Sequence, residues 1–259
     1  MDLGISGRRA IVCASSKGLG RGCAEALARE GVNVVINGRN EAEVKRTADA
    51  IRTNHKVEVT TVAADVTTPE GRSAILKSCP DPDILITNAG GPPPGDFRDL
   101  DEVDWANGLV PNLISPIMLI KATVDGMAAR GFGRIVNITS RSVKTPLYHL
   151  PLSNAARAGL TGMIAGLARQ VAKDNVIINN ILPGPFTTDR QMVPLRKRAG
   201  ELGITYEELV SRETEQVPAR RFGSPEEFGN MCAYLCSAHI GFVVGQNILM
   251  DGGGFASTV

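Results

Sequence analysis

Glycines and hydroxyl side chains are concentrated in one short segment near the start of the chain, CASSKGLG at residues 13–20. Glycines at such a turn let the backbone approach a pyrophosphate, and the free N–H groups that open the next helix meet its negative charge. The segment follows an apolar, β-branched run and opens a stretch of helical period, although a structural turn without a ligand is the alternative. We predict a nucleotide-binding turn made by Ser15, Ser16, Lys17, Gly18, Leu19 and Gly20.

The second apolar run ends in VVINGRNE, which places Arg39 about 20 residues past this turn. Dinucleotide folds that bind an unphosphorylated ribose carry an acid there, which accepts hydrogen bonds from the 2′-hydroxyl. A guanidinium instead presents fixed donors that suit a phosphate, and Lys17 adds a second positive charge. The two basic residues together predict NADP(H) rather than NAD(H) as the cofactor.

These side chains need a scaffold, and the chain alternates short β-branched runs with longer segments of helical period. Near-continuous apolar strands separated by helices are typical of a parallel sheet covered on both faces. At 259 residues the chain fits one domain. We predict a single Rossmann-type α/β domain, a doubly wound three-layer α/β/α fold, with strands in RRAIVCA, VNVVIN, VEVTTVA, DILITNA, RIVNIT, VIINNIL and QNILMDGGG.

Residues 187–221 interrupt this alternation with many charges and a helical pattern. Ligands bind at the carboxyl ends of the strands in such sheets, so an insertion after a late strand is well placed to act as a lid. A solvated helical excursion without function is the alternative. The next helix is expected to start at Ser224 as N-cap, with Pro225 in its first turn.

Composition limits the other classes of function. The 28 basic and 27 acidic residues give a net charge of +1, which offers no general argument for a nucleic acid or membrane partner. The first 14 residues lack the order of a secretory signal, and no apolar run approaches the ~18 residues of a membrane span. The five cysteines lack metal-ligand spacing with histidines. We expect a soluble, cytoplasmic protein with reduced cysteines and no metal.

Several motifs resemble those of the short-chain dehydrogenase/reductase family over essentially the whole chain. CASSKGLG is similar to that family's TGxxxGxG, although Cys13 and Ala14 stand where threonine and the first glycine are usual. The others are AADV with Asp65 and Val66, TNAG with Asn88, Ala89 and Gly90, PNL with Asn112, NITS with Ser140, ILPGPFTT with Pro183, Gly184, Thr187 and Thr188, and the final MDGG.

The resemblance implies roles for these residues. Asn112 and Ser140 correspond to the family's catalytic asparagine and serine, and Thr187 or Thr188 to the residue that holds the nicotinamide amide. The segments around Asp65, Asn88 and Pro183 correspond to other cofactor-binding positions. The family also implies a homodimer or homotetramer, and the chain looks most like its 3-oxoacyl carrier-protein reductase type.

One departure from the family concerns the proton donor. A YxxxK pair follows the serine by about a dozen residues in the family, and counting from Ser140 puts Ser153 at the tyrosine and Arg157 at the lysine. An alkyl hydroxyl is a far weaker acid than a phenol, whose pKa starts near ~10. Arg157 keeps a positive charge on the same helix face, at i+4. We assign Arg157 to cofactor binding and Ser153 to the catalytic pocket.

Other side chains in RSVKTPLYHLPLS could replace the missing phenol. Tyr148 has no cation one turn along to lower its pKa and lies in a segment that Pro146 and Pro151 predict to be a loop. His149 has a suitable unperturbed pKa of ~6.5, but a loop histidine is usually just solvated. Tyr148 therefore remains a catalytic candidate, with pocket wall as the alternative.

Basic side chains at Arg141, Lys144 and Arg157 surround the predicted site. They would complement an anionic substrate or the phosphate-bearing arm of a carrier, although a solvated basic loop explains them equally well. Two functions fit the whole pattern: an NADPH-dependent oxidoreductase acting on a carbonyl or alcohol of a small or acyl substrate, or an NADP(H)-binding sensor or assembly partner without useful turnover.

Overall fold

The computed structural model describes residues 1–257 and contains one sheet in that range. Its seven strands are all parallel and lie in the order β3-β2-β1-β4-β5-β6-β7. Each predicted run overlaps one of them, with no strand extending more than one residue beyond its run, and this confirms the predicted fold class. The strands are β1 Arg9–Val12, β2 Asn33–Gly38, β3 Val59–Ala63, β4 Ile84–Thr87, β5 Gly133–Ile138, β6 Val176–Pro183 and β7 Asn247–Met250.

Helices connect the strands and cover both faces of the sheet. N-cap residues fix the first turn of several helices. The side chains of Asn40 and Thr68 accept backbone N–H hydrogen bonds, and Ser224 forms a reciprocal capping box with Glu227. The α-helices are α1 Gly18–Arg29, α2 Glu41–Asn54, α3 Pro69–Ser78, α4 Glu102–Leu109, α5 Ser115–Ala129, α6 Pro151–Val171, α7 Asp189–Leu202, α8 Tyr206–Glu215 and α9 Pro225–Leu235.

Alternate strand residues point to two hydrophobic layers, because side chains along a strand alternate between the faces of a sheet. Val34 and Ile36 of β2 pack in one layer with residues of α1 and α9, while Val35 between them packs in the other. The first layer includes Ile86, Cys23, Leu27 and Phe228, and the second includes Leu85, Ile135, Leu119 and Ile164.

Helices α1 and α9 contact each other backbone to backbone. A Cβ added at Gly22 would lie 2.1 Å from the carbonyl oxygen of Pro225, and one at Gly229 would lie 2.1 Å from the carbonyl oxygen of Gly22. Only hydrogen fits at these two positions, so any larger residue would force the helices apart. Helix α9 therefore fixes the position of α1, which follows the glycine-rich turn directly.

Residues 187–221 contain α7 and α8, which share a small apolar cluster of Leu195, Ala199, Leu209 and Phe222. The segment leaves the sheet after β6 and returns at Gly223, where Phe186 forms an isolated bridge. Its helices thus stand at the carboxyl ends of the strands, next to the crevice where the strand order reverses between β1 and β4. The lid function of this segment stays a prediction.

Candidate cofactor and active site

The turn after β1 has the strained backbone that the glycine-rich motif predicts. Gly18 has φ +59°, and a Cβ at Gly20 would lie 2.4 Å from the carbonyl oxygen of Ala14. Ala14 itself has φ +45°, a left-handed conformation that favours glycine. Ala14, at the position of the motif's first glycine, thus keeps the conformation of a glycine despite its methyl group.

Ser15 contributes to the architecture of the turn from inside the protein. Its hydroxyl is fully buried, donates to the carbonyl of Val12 at 2.6 Å and accepts the backbone N–H of Asn37 at 3.0 Å. Asn37, on β2, accepts the N–H of Ala14 at 3.1 Å, and Asn88 donates to the carbonyl of Ala14 at 3.2 Å. These bonds hold the ends of β1, β2 and β4 together beneath the turn.

Sequence reasoning did not single out Asn37. The available signal was a polar residue in the apolar run VVING, which indicates a buried amide with specific partners. Its side chain also donates to the carbonyls of Val62 and Ala64 at 3.1 and 2.9 Å. Asn37 therefore positions both the turn and the segment that leads to Asp65.

A cavity of about 430 Å³ opens beside the turn, between α1, α2 and the start of α7. Its lining includes Ser16, Lys17, Gly18 and Thr188 and, from α2, Arg46. Arg46 is exposed and forms no ion pair within residues 1–257, whereas the Lys17 ammonium lies 3.7 Å from a Glu43 carboxylate oxygen. The cavity thus offers backbone donors and the exposed guanidinium of Arg46 to a phosphorylated ligand. The carboxylates of Glu25, Glu43 and Asp189 also line it.

Arg39 lies outside that lining but close to Asp65. Partial burial opposes ionisation of Asp65, yet hydrogen bonds from the N–H and hydroxyl of Thr67, together with the charge of Arg39, hold the pKa of this carboxyl below its usual value. Val66 is buried beside it. Arg39 is thus near enough to Asp65 for its charge to stabilise this carboxylate.

The loop after β4 leaves open space over the sheet. A Cβ built at Gly90 would have no described atom within 4 Å. Asn112 is buried in a π-helical turn, Val110–Ile114, between α4 and α5, and its amide donates to the carbonyl of Gly90 at 3.2 Å. Such turns recur at functional sites. Ala89 and Gly90 therefore form a floor that Asn112 holds in place.

The loop after β6 faces this floor. Pro183 ends the strand, and a Cβ at Gly184 would lie 2.6 Å from the Cβ of Asp251. The hydroxyl of Thr187 donates to the carbonyl of Gly223 at 3.2 Å. Thr188 is the N-cap of α7 without a side-chain capping bond in the described range, and its methyl lies 3.7 Å from the Cβ position of Gly18. Its hydroxyl is free for a ligand.

The predicted catalytic hydroxyls lie at the carboxyl end of β5 and the start of α6. Ser140 is half-buried, and its hydroxyl accepts the N–H of Ser142 at 3.0 Å. Ser153 is 5% exposed, and its hydroxyl accepts the Nε–H of Arg157 at 3.1 Å. The structure thus brings Ser153 and Arg157 into contact on the helix face that the i+4 spacing predicts them to share.

Arg157 is 9% exposed and also donates from Nη1 to the carbonyls of Ile138 and Thr139, at 3.0 and 2.6 Å. Burial, and then the nearby charge of Arg190, lowers the pKa of Arg157 to about 10. The group is still a cation near neutral pH. These hydrogen bonds fix a positive charge beside the Ser153 hydroxyl and beside the carbonyl of Thr139, the residue that precedes Ser140.

Tyr148 lies apart from Ser153 and Arg157. It is 93% exposed, and within residues 1–257 its hydroxyl forms no hydrogen bond. Its ring packs edge to face on His149 at a centroid distance of 5.1 Å, and the carbonyl of His149 accepts the N–H of Gly95. Both side chains lie in the loop that precedes α6.

The donor set fits a phosphorylated dinucleotide. It combines an open glycine turn at a helix start, basic side chains at one end, and a hydroxyl pair with a buried cation at the other. In the part of the chain that the structure describes, no cluster of three or more His, Cys, Asp or Glu side chains could hold a metal. No helix there is long and apolar enough to cross a membrane.

The fold and the glycine turn are typical of nucleotide-binding α/β proteins, and the hydroxyls of Ser140 and Ser153 lie at the carboxyl end of β5 and the start of α6. A family profile described as enoyl-(acyl carrier protein) reductase matches residues 13–254. The chain is 30% identical to 3-oxoacyl-[acyl-carrier-protein] reductase FabG of Aquifex aeolicus (strain VF5), over 98% of this chain and 100% of that protein.

It is also 30% identical to dehydrogenase/reductase SDR family member 4 of Rattus norvegicus, over 96% of this chain and 88% of that protein. The crystal structure of L-sorbose reductase from Gluconobacter frateurii, complexed with NADPH and L-sorbose, superposes with a TM-score of 0.95 at 31% identity, covering 99% and 100% of the two chains. The chain belongs to the short-chain dehydrogenase/reductase family.

Proposed function

We propose that this oxidoreductase transfers hydride from NADPH to a carbonyl of a small or acyl substrate, without the tyrosine that usually supplies the proton. The observation that carries this proposal is the Ser153–Arg157 pair, a hydroxyl bonded to a buried cation beside Ser140. The pair keeps a hydrogen-bond donor and a positive charge where the family motif has its phenol and ammonium groups.

The cofactor assignment rests on charge. Lys17 and Arg46 line the cavity beside the glycine turn, and Arg39 stands at the end of β2. Arg39 and Arg46 are both guanidinium groups without an ion pair within residues 1–257, and such groups suit a 2′-phosphate, whereas Lys17 already lies 3.7 Å from a Glu43 carboxylate oxygen. The NADPH in the L-sorbose reductase complex agrees with this assignment.

NADPH, when bound, supplies the hydride. Ser140 and Ser153 then donate hydrogen bonds to the oxygen on which negative charge develops, and stabilisation of this kind is often the largest single contribution to catalysis. Ser153 accepts from Arg157, so its own proton is free to point outward and its donor strength increases through the chain of bonds. Asn112 keeps Gly90 and the floor of the site in place.

The protein as a sensor or assembly partner remains the second candidate. The observation in its favour is the exposure of Tyr148, which leaves the buried site without a phenol. The hydroxyl of Ser153 is a poor acid, so the alkoxide that forms when hydride reaches the carbonyl carbon would have to take its proton from water. In this alternative, cofactor binding would be the functional event.

A homodimer or homotetramer and a cytoplasmic location complete the proposal. Exposed apolar side chains support assembly: Ile114 and Met118 lie along α5 and the turn before it, and Phe242 is fully exposed near β7. Such side chains on a water-soluble fold are typical of protein interfaces. Light scattering on the eluted protein would give the number of copies.

The test uses purified protein, NADPH and a panel of ketones, aldehydes and acyl thioesters. Oxidation of NADPH on at least one substrate, reduced about 100-fold in Ser140→Ala, supports the enzyme. NADPH that raises the Tm without oxidation of any substrate, and no effect of Ser140→Ala, favours the sensor. Failure of NADPH to change the Tm would contradict both.

A further inference from the structure

A line of hydrogen-bonded side chains crosses the sheet from β4 to β7. Its members are Thr87, Asn137, Asn180 and Asn247, and each is the direct partner of the next in the register of neighbouring strands. The Thr87 hydroxyl donates to Oδ1 of Asn137 at 2.6 Å. Nδ2 of Asn137 donates to Oδ1 of Asn180 at 2.9 Å, and Nδ2 of Asn180 to Oδ1 of Asn247 at 2.8 Å. These four residues form an asparagine ladder, whose first three members are buried.

Side-chain hydrogen bonds also join the strands on the other side of the crevice. Asn88, next to Thr87, donates to the carbonyl of Ala14 in the glycine turn, and Asn37 on β2 accepts the N–H of Ala14. Asn37 donates in turn to the carbonyl of Val62 on β3. The ladder and these bonds together link all seven strands, with β1 included through the turn that follows it.

The ladder is not needed to pair the strands, because the backbones of β4, β5, β6 and β7 are already paired in parallel. A buried amide loses its hydrogen bonds with water, and replacing both partners of a buried bond by apolar groups of the same shape can be nearly neutral or stabilising. Stability alone therefore does not require polar side chains here. A fully bonded polar network instead fixes one arrangement, since any other arrangement leaves a buried polar group unpaired.

On β5 the ladder lies directly below the reacting end of the crevice. Thr139 follows Asn137 by two residues, its N–H donates to the carbonyl of Ile181 at 2.9 Å, and Ser140 comes next. The bond between Asn137 and Asn180 is one residue pair below this backbone bond in the register. It therefore fixes the end of β5, and with it Ser140, against β6.

On β4 the ladder ends next to the floor of the site. Thr87 is the last residue of the strand, and the segment that contains Ala89 and Gly90 follows it. The bond from the Thr87 hydroxyl to Asn137 ties this end of β4 to β5. The distance between the floor and Ser140 thus depends on the bond between Thr87 and Asn137.

We propose that Thr87, Asn137 and Asn180 are positioning residues, whose ladder holds Ser140 at a fixed distance from the floor of the site. All three side chains are buried, so they act through the strand ends rather than on the reacting atoms. Hydride transfer requires close alignment of the reacting atoms, and a misplacement of about 1 Å can cost on the order of 100-fold in rate. The effect on turnover rests on the proposed function, whereas the effect on the strand ends does not.

The first experiment compares Asn180→Ala with Asn179→Ala, at a temperature at which circular dichroism shows both variants folded. Asn179 is the neighbouring buried residue on β6 and also forms two side-chain hydrogen bonds, with Val243 and Gln246, from the opposite face of the sheet. Both variants should lose a similar amount of Tm. Only Asn180→Ala should lower kcat, about 10-fold, with KM for NADPH and for the substrate within about 2-fold of wild type. An equal change of kcat in the two variants would contradict the positioning role.

A second pair of variants tests the other end of the ladder. Thr87→Val keeps the shape of the side chain and removes the donor to Asn137, whereas Thr87→Ser keeps the hydroxyl. Thr87→Val should lower kcat about 10-fold, and Thr87→Ser should stay within about 3-fold of wild type. A similar kcat in the two variants would show that the hydroxyl does not position the site.

Amide hydrogen exchange without NADPH separates the ladder from the proposed function. The N–H of Thr139 should exchange about 10-fold faster in Asn180→Ala and in Thr87→Val, because the end of β5 opens more often. In Asn179→Ala the N–H of Gln246, which loses its acceptor, should exchange faster while that of Thr139 does not. Unchanged exchange at Thr139 in the ladder variants would overturn the inference even in an active enzyme. Faster exchange there, in a protein that oxidises no NADPH, would support the ladder and remove the oxidoreductase.

Discussion

The Nε–H of Arg157 donates to the hydroxyl of Ser153 at 3.1 Å, one helical turn earlier on the same buried face of α6. The bond uses a lone pair of the serine oxygen and leaves its proton for an acceptor in the crevice. Since the guanidinium is fixed by two backbone carbonyls, the hydroxyl has a defined direction as well as a charged neighbour.

Ser153→Ala should reduce kcat about 100-fold, because it removes a preorganised donor to the developing oxyanion. Tyr148→Phe should leave kcat within about 2-fold of wild type, because that ring is exposed and its hydroxyl lies outside the buried group. Steady-state kinetics of the two variants on one substrate shows whether Ser153 or Tyr148 contributes to kcat. A large loss in Tyr148→Phe together with normal Ser153→Ala would assign the proton donor to the loop.

The double substitution Ser153→Tyr with Arg157→Lys should raise kcat/KM on simple ketones about 10-fold or more. It supplies a phenol whose pKa an ammonium one turn away lowers toward neutrality. Ser153 is buried, so the Tm is expected to fall while activity rises. Each single variant serves as a control, and a double variant no more active than either would refute the alignment of Ser153 with the missing phenol.

Arg46→Ala and Arg39→Ala should each weaken NADPH binding roughly 5-fold and leave NADH binding unchanged, since an exposed charge contact contributes about 1 kcal/mol. Lys56→Ala, an exposed cation beyond the end of α2, is the matched control. Fluorescence titration of each variant with NADPH and with NADH gives the ratio of the two dissociation constants. Equal weakening for NADPH and NADH would place these side chains away from the 2′-phosphate.

Ala14→Gly should stabilise the protein by about 0.5–1 kcal/mol, because Ala14 has φ +45° and glycine adopts this conformation without the Cβ penalty. That corresponds to a Tm increase of about 2 °C. Gly20→Ala is the opposite control: its Cβ would lie 2.4 Å from the carbonyl oxygen of Ala14, at a cost of about 1–3 kcal/mol. A lower Tm in Ala14→Gly would argue against strain in the turn.

Glu227→Gln should reduce the sensitivity of the protein to acid. Hydrogen bonds from Arg221 and then from the N–H of Ser224 lower the pKa of Glu227 from 4.5 to about 2. A depressed carboxyl pKa contributes stability above pH 4.5 that is lost as the pH falls toward 2. Denaturant unfolding over this interval should show a smaller loss in the variant. If the free energy of unfolding falls equally steeply with pH in the variant and in wild type, the Arg221–Glu227 pair is not formed in solution.

The parallel doubly wound sheet and the glycine turn could be predicted because they depend on local patterns: β-branched runs, a motif, and helix caps such as Ser224. The i+4 spacing predicted that Ser153 and Arg157 share a helix face, but not the hydrogen bond between them. The carbonyl partners of Arg157 could not be predicted, because Ile138 and Thr139 reach it through the packing of β5 on α6.

Arg46 and Arg190 were missed for a related reason. Each is an ordinary basic residue on a charged helix, and its place depends on how that helix is rotated against the sheet. Arg39 and Lys17 were found because they lie next to a motif. Tertiary contacts, rather than sequence neighbours, identify Arg46 as part of the cavity lining and bring Arg190 to the loop after β4.

The backbone contact of Gly22 with Pro225 and Gly229 joins the first helix to the last one across some 200 residues of sequence. A fragment that ends after β6 would retain the turn but lose the wall against which α1 rests. Occupancy of the nucleotide site should therefore slow amide hydrogen exchange in α9 as much as in α1. The two halves of the chain would then open as one cooperative unit.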